Sequence, residues 1–430
     1  MYLLYSVATL IVLVALSPYF LYQALRHKKY VGSLGQRLGY LPVTLNLDGE
    51  PSIWIHAVSV GEVLSTRPVI EELRKRYPSL RLFLSTTTRS GQQVARRSVT
   101  DVDGIFYFPF DWPFTVRRTL SIVRPRLFVM VENEIWPTLL RECRRRGIRT
   151  VVVNGRISGR SFPRYRVIRP FFRRVLADID RFCVQGEETA RRLVSLGADR
   201  SRVTITGSLK FDALDATPLP GRGAARVLRF FRMSPGRPVL VAGSTTRGED
   251  EAVIRAFNRV RTMPEGANAL LIIAARHPER FDEVERLCKS EGLSTVRRSE
   301  LPIDAEPRCD AVILDTIGEL AHLYQIATAV FVGGSLVPAG GHNILEPALY
   351  GKSIVFGPHM ENFKEIAGLV RKAEGGLCIL DRNDLYHQVR LLLENPVERR
   401  RLGENGLNLL LQNRGATDRT LAVIDRHIGS

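Results

Sequence analysis

This 430-residue chain predicts an α/β protein with two Rossmann-like parallel sheets facing a cleft. Three observations lead there. Short apolar runs alternate with helix-length amphipathic segments, the pattern of a parallel sheet covered on both faces. A cluster of Pro and Gly between Asp212 and Arg237 interrupts the alternation, which then restarts. Polar and glycine-rich motifs follow the apolar runs directly, where open parallel sheets bind ligands. The length suits two domains.

The N-terminus stands apart. Tyr2 to Leu25 carries no charged residue, and about 24 residues can span a bilayer. The basic residues Arg26, Lys28 and Lys29 come after the run, which puts the body on the cytoplasmic side. A signal peptide would carry its positive charge first. Residues 1–25 are therefore expected to be a transmembrane signal anchor. The competing reading is an apolar helix lying on the membrane or packed on the body.

Residues 26–213 hold the first domain. Its strands are expected at Ser52–Ala57, Arg81–Ser85, Gly104–Phe108, Leu127–Val131, Thr150–Val153, Phe182–Val184 and Val203–Thr206, with a helix over Gly61–Tyr77. Residues 214–430 hold the second. Its strands are expected at Val239–Ala242, Ala269–Ala274, Ala311–Leu314, Ala329–Val332 and Ser353–Phe356, with helices at Glu251–Arg261 and Phe281–Glu291 and a helical tail from Leu385.

Composition narrows the partners. A net charge of +18 calls for anionic company: nucleic acid, anionic lipid or a phosphorylated substrate. Two basic runs stand out, Arg141 to Arg146 and Arg164 to Arg174, with Arg166, Arg169 and Arg173 at the spacing of one helical face. Beside a membrane anchor they read as contacts with an anionic headgroup surface. No RNA-binding motif accompanies them, so nucleic acid is not an expected partner. The five cysteines are scattered and form no C-x-x-C, which argues against a disulfide framework and a zinc site. Neither a G-x-G-x-x-G after the first strand of either half nor a P-loop is present.

The strand-end motifs carry the chemistry. In the first half, Glu62 opens a helix after Gly61. It is either a partner of the helix dipole or a general base at a cleft mouth. Glu132 and Glu134 follow a very apolar strand, where a carboxylate is costly unless solvated or paired. Ser85 to Gly91 is a hydroxyl run that caps a helix or binds phosphate or sugar. Lys210 precedes the domain boundary and suits either a solvated surface or charge neutralisation. In the second half, Ala242 to Thr245 ends the first strand, and Ala275-Arg276 ends the next, Arg being a good phosphate ligand. Ile317-Gly318-Glu319 follows the third, and Gly333 to Pro347 the fourth. That last stretch joins two glycine pairs to Asn343-Ile344-Leu345-Glu346 at a helix start. It reads as a nucleotide-binding loop, with backbone N–H groups for phosphate and Glu346 for ribose.

His56 to Glu62, Glu132 to Pro137, Gly207 to Asp212, Arg276 to Phe281, Asp315 to Leu320 and Gly333 to Pro347 occur in this order. Together they resemble the bacterial Kdo transferases, the 3-deoxy-D-manno-octulosonic-acid transferases of lipopolysaccharide assembly. The resemblance implies a GT-B glycosyltransferase fold whose terminal helices return to the first domain. It implies transfer of Kdo from CMP-Kdo to a tetraacylated lipid A precursor at the cytoplasmic face of the inner membrane. Inversion by direct attack, with no metal and no cofactor, is the mechanism it implies. By the same resemblance Glu62 is the general base, and Glu132, Glu134 and Lys210 hold or stabilise charge. Ala275, Arg276, Ile317, Gly318, Glu319, Asn343, Ile344, Leu345 and Glu346 contact CMP. The chain departs from the family pattern at Ala275, often Pro, and at Asn133, usually Thr. The alternatives are a GT-B transferase using another nucleotide sugar or acceptor lipid, and a membrane-tethered protein that binds anionic lipid without turnover.

Overall fold

The computed structural model describes residues 31–159, 161–214 and 222–428, together with 2, 5–7, 9–11 and 15. The chain divides into two compact units, Met1–Ala213 with Asn413–Ser430, and Leu214–Gln412.

The first unit is built on the strands β1 (Ser52–His56), β2 (Arg81–Thr86), β3 (Gly104–Tyr107), β4 (Pro125–Val131), β5 (Arg149–Gly155), β6 (Arg181–Val184) and β7 (Val203–Ile205). They pair in the order β3-β2-β1-β4-β5-β6-β7, and all pairings are parallel. Every residue of β1 is buried, as expected of a central strand covered on both faces. Trp54 points into one core with Phe83, Phe106 and Phe128. Ile53 and Ile55 point into the other with Leu82, Leu84 and Val129. The helix Ala416–Ile428 belongs to this unit and buries Ala416, Leu421 and Ile424 in that second core.

The second unit repeats the plan with β8 (Val239–Thr245), β9 (Leu270–Ala275), β10 (Thr295–Arg297), β11 (Ala311–Ile313), β12 (Ala329–Val332), β13 (Ile354–Phe356) and β14 (Leu377–Cys378). The order is β10-β11-β9-β8-β12-β13-β14, again parallel. Two strands escape the sequence pattern. β10 and β14 are two or three residues long and only partly buried, so neither leaves a continuous apolar run.

In each sheet the chain leaves its first strand in one direction and later returns to its other side. The reversal falls between β1 and β4 in the first unit and between β8 and β12 in the second. Such switch points leave a crevice at the carboxyl ends of the strands, where ligands bind.

Two surface expectations change. Arg166, Arg169 and Arg173 do not share one helix. The segment is two helices, Phe162–Val167 and Arg169–Ala177, meeting at Ile168. Pro170 has no N–H to continue the first helix and is placed where a helix begins. No helix among the described residues is long and apolar enough to cross a membrane, and most of the expected anchor lies outside the described residues. Those described from it rest on the first unit. The Tyr2 hydroxyl donates to Asp178 (2.5 Å), its ring meets Phe171 edge-on, and Trp112 Nε1 donates to Thr9 Oγ1 (3.2 Å). Val7, Leu10 and Ile11 stay exposed.

Candidate active site

The predicted catalytic groups of the first unit gather at the β1/β4 switch point. Glu62 is the third residue of the helix Val60–Arg76 that follows β1. Its carboxylate accepts from the Val58 amide (2.9 Å) and the Ser59 hydroxyl (2.8 Å). A carboxylate has about four lone-pair sites, so these two bonds aim it without saturating it. Glu62 is 9% exposed. Burial pushes its pKa up, the Val58 amide opposes that, and the charge of Glu132 adds to the rise.

Glu132 and Glu134 follow β4. Glu132 has a left-handed backbone (φ 59°), a conformation that costs a non-glycine residue energy. Its amide still bonds the Val153 carbonyl (2.9 Å), so the chain turns sharply out of the sheet at that residue. Its carboxylate lies 3.5 Å from Lys210 Nζ, both side chains being about a fifth exposed. Burial and the neighbouring Glu62 charge push Glu134 up to about 7. Lys210 in turn lowers Glu62. The structure therefore brings Glu62, Glu132, Glu134 and Lys210 into one electrostatic group.

His56 ends β1 beneath this group. It is fully buried, its ring stacks on Phe108 with centroids 3.8 Å apart, and Nδ1 faces the Ser85 carbonyl and hydroxyl at 3.1 and 3.0 Å. Burial lowers its pKa to about 3, so the ring is neutral. Its Nε2 stands 3.9 Å from Glu134, too far for a hydrogen bond. Where two groups are driven apart in this way, the proton stays on the one pushed up, the Glu134 carboxyl.

The predicted nucleotide contacts of the second unit lie at the carboxyl ends of β9, β11 and β12. Arg276 follows β9, is exposed, and is fixed through its backbone amide to the Thr245 carbonyl (2.9 Å). Asn343 holds the start of the short helix Leu345–Ala348. Its Oδ1 accepts from the Leu345 amide and its Nδ2 donates to Glu346 Oε1, both at 3.1 Å. Burial pushes Glu346 up, while Asn343 and the Arg276 charge pull it back. His342 is lowered to about 4, by burial first and then by Arg276. Arg276 and the Asn343–Glu346 segment thus share one field.

Three predicted contacts need adjustment. Ile344 and Leu345 turn their side chains into the core, so only their backbone is available to a ligand. The Glu319 carboxylate is already occupied. Arg298 Nε lies 2.8 Å from one oxygen, Arg298 Nη2 donates to the other at 3.0 Å, and Thr316 Oγ1 donates at 2.7 Å. Arg298 is itself buried and stacked under the Phe230 ring at 3.5 Å. What this turn offers a ligand is backbone. Gly318 is left-handed (φ 87°), and the space where its Cβ would stand is open.

The glycine turn after β12 departs most from the sequence reading. Its N–H groups, expected to cradle a phosphate, are taken by Glu249. This carboxylate is fully buried. It accepts from the amides of Gly334 (2.7 Å), Ser335 (2.9 Å) and Leu336 (2.8 Å), and from the Thr246 amide (2.9 Å) and hydroxyl (2.8 Å). Sequence reasoning missed Glu249 and Arg298. The signal for Glu249 was present: a Gly-Glu pair follows β8 just before the next helix, as Gly61-Glu62 follows β1 at the start of its helix. Arg298 left none, being one Arg in a basic chain.

The Kdo transferase family profile, 3-Deoxy-D-manno-octulosonic-acid transferase (kdotransferase), matches residues 32–213. Among solved structures, the UDP-GlcNAc 2-epimerase of Neisseria meningitidis, bound to UDP-GlcNAc, matches 88% of this chain and 100% of its own with a TM-score of 0.55 at 12% identity. A glycosyltransferase from Rickettsia africae matches 88% of this chain and 99% of its own, with a TM-score of 0.57 at 10% identity. At such identities the likeness is one of fold: two parallel-sheet α/β units resembling GT-B glycosyltransferases. In sequence, the 3-deoxy-D-manno-octulosonic acid transferase of Haemophilus influenzae is 32% identical over 409 residues, 94% of this chain and 93% of that one. The chain is therefore a glycosyltransferase that belongs to the 3-deoxy-D-manno-octulosonic acid transferase family.

Proposed function

We propose that this protein moves Kdo from CMP-Kdo to a tetraacylated lipid A precursor, with inversion at the Kdo anomeric centre. The observation that carries the proposal is the carboxylate group at the β1/β4 switch point. Glu62 is aimed by two hydrogen bonds and keeps lone pairs free, so it takes the proton from the acceptor hydroxyl as that oxygen attacks. Glu134, pushed up to about 7, holds a proton beside Glu62 below that pH. Positive charge develops at the Kdo centre as its bond to CMP lengthens. Glu132 stabilises it, and Lys210 beside Glu132 limits the repulsion among the carboxylates. CMP departs with negative charge on its phosphate, which an exposed Arg276 neutralises. Asn343 and Glu346 hold the ribose, and the backbone of residues 317–319 supports the rest of the nucleotide.

The membrane enters the same proposal. The tip between the two helices at Ile168 exposes Val167 (84%) and Ile168 (47%) among Arg164, Arg166, Arg169, Arg173 and Arg174. An apolar tip ringed by guanidinium groups suits an anionic bilayer surface. With the apolar N-terminal stretch it would hold the catalytic body at the cytoplasmic face of the inner membrane. Charge reversal at Arg166, Arg169 and Arg173 should weaken flotation with anionic vesicles, and unchanged flotation at low salt would remove the tip from the proposal.

The test of the function offers the purified protein CMP-Kdo and, separately, UDP-sugars, with tetraacylated lipid A precursor as acceptor. Mass analysis of the lipid should find Kdo added from CMP-Kdo alone. Transfer from a UDP-sugar, or none from CMP-Kdo, would favour the alternative of another donor on the same fold.

A further inference from the structure

The crevice at the β8/β12 switch point is where an open parallel sheet offers its backbone to a ligand's phosphate. In this protein it is filled from within. The amides of Gly334, Ser335 and Leu336 converge on one point, the arrangement of an anion-binding nest. The anion in it is the Glu249 carboxylate, which also takes the Thr246 amide and hydroxyl. Every partner is a donor, and the side chain has no solvent contact.

The surrounding backbone is tightly constrained. A Cβ on Gly333 would meet the Ser244 carbonyl oxygen at 2.5 Å, and Gly334 is left-handed. The Ser335 hydroxyl donates to the Val332 carbonyl (2.5 Å) and accepts from the Gly357 amide (2.8 Å). The nest therefore ties the end of β8 to the turn after β12 and to the chain leaving β13. Gly341 N–H bonds the Gly334 carbonyl (2.7 Å), and the His342 ring stands against Gly334. The nest fixes the turn, and the turn fixes the segment from His342 to Glu346.

We propose that Glu249 is an internal stand-in for a bound phosphate, and that it acts as a positioning residue for the donor. It occupies the anion site of the switch point, so the nucleotide phosphate is directed to Arg276. By locking the Gly334–Leu336 turn it sets the place of Asn343 and Glu346. The donor part of this inference rests on the proposed binding of CMP by the second unit; the nest itself does not.

The test uses the full chain carrying Glu249→Ala or Glu249→Gln. Melting temperature and CMP affinity are measured with and without formate, with chloride at matched ionic strength as control. Glu249→Ala empties the nest, and we expect CMP affinity to fall by roughly tenfold or more. Formate should restore both melting temperature and CMP affinity saturably, and leave the wild type unchanged. Glu249→Gln keeps the volume but turns an N–H₂ toward amide donors. It should raise KM for CMP-Kdo while kcat and the KM of the lipid acceptor hold. CMP affinity equal to wild type in either variant overturns the positioning role. A folded Glu249→Ala protein that formate stabilises no more than chloride does overturns the nest. If Glu249→Ala fails to fold even with formate, the KM split of Glu249→Gln decides. A wild type that does not bind CMP would sink the donor reading, while the formate-dependent melting of Glu249→Ala would still decide the nest.

Discussion

The two units each place a Gly-Glu dipeptide near the start of the helix after their first strand and use it in opposite ways. Gly61-Glu62 lies in the first turn of the helix after β1, and Gly248-Glu249 immediately precedes the helix after β8. Each carboxylate accepts from a hydroxyl three residues before it, Ser59 for Glu62 and Thr246 for Glu249. The difference lies across the switch point. Glu62 meets the turn after β4, which brings two more carboxylates. Glu249 meets the turn after β12, which brings three amide donors. Against like charge a buried carboxylate has its pKa raised and is poised for proton transfer. Against converging donors it becomes a structural anion. Glu319 follows the second pattern, with Arg298 as its partner. Glu62 thus stands among like charges, whereas Glu249 and Glu319 are neutralised by their neighbours.

That contrast breaks most visibly at Glu62. Glu62→Gln removes the proposed base and should lower the transfer rate by about a thousandfold, measured as Kdo incorporated under saturating donor; near wild-type turnover would end its assignment. Arg298→Ala probes the neutralised side. It leaves the largely buried Glu319 carboxylate with Thr316 alone and should destabilise the fold by about 3 kcal/mol, read as a lower urea midpoint. An unchanged midpoint would mean that Glu319 is solvated rather than neutralised.

Glu134 sharpens the reactive side through pH. The folded protein holds its proton to about pH 7, whereas the unfolded chain releases it near the ordinary value of 4.5. Between those values the folded state binds more protons, so Glu134 makes stability fall as pH rises. Glu134→Gln has no proton to lose, and its melting temperature should decline less between pH 5 and pH 8 than that of the wild type. Parallel curves would contradict the shift. The smallest effect is expected at His56. Its imidazole, lowered to about 3, should not titrate in NMR spectra between pH 5 and pH 8, and a titration there would place a cation under the carboxylates.

Much of this was legible in the sequence, because fully buried parallel strands leave continuous apolar runs. β1, β4, β9 and β12 were expected within two residues of their observed ends. β10 and β14 were not, since short, half-buried edge strands carry no such run. The membership of the carboxylate group was legible because Glu132 and Glu134 end a strand where charge is costly. The raised Glu134 was not, because it depends on Glu62 and Glu134 meeting across two strands far apart in sequence. The glycine turn after β12 was read as a nucleotide-binding loop, and its amides are taken by a carboxylate of the chain itself. Its occupant lies some 85 residues earlier, and only the fold brings Glu249 to it. The proposed continuous basic helical face failed on one residue, Pro170, which starts a new helix.

In the proposed division of labour, Glu62 acts on the acceptor proton and the second unit holds the nucleotide. The most direct measurement compares Glu62→Gln with Arg276→Ala for CMP affinity by calorimetry and for Kdo transfer in the same preparations. Glu62→Gln should keep CMP affinity within about twofold while losing transfer, and Arg276→Ala should lose CMP affinity by roughly tenfold or more. A Glu62→Gln protein that loses CMP affinity as Arg276→Ala does, or that transfers Kdo at the wild-type rate, would contradict the account.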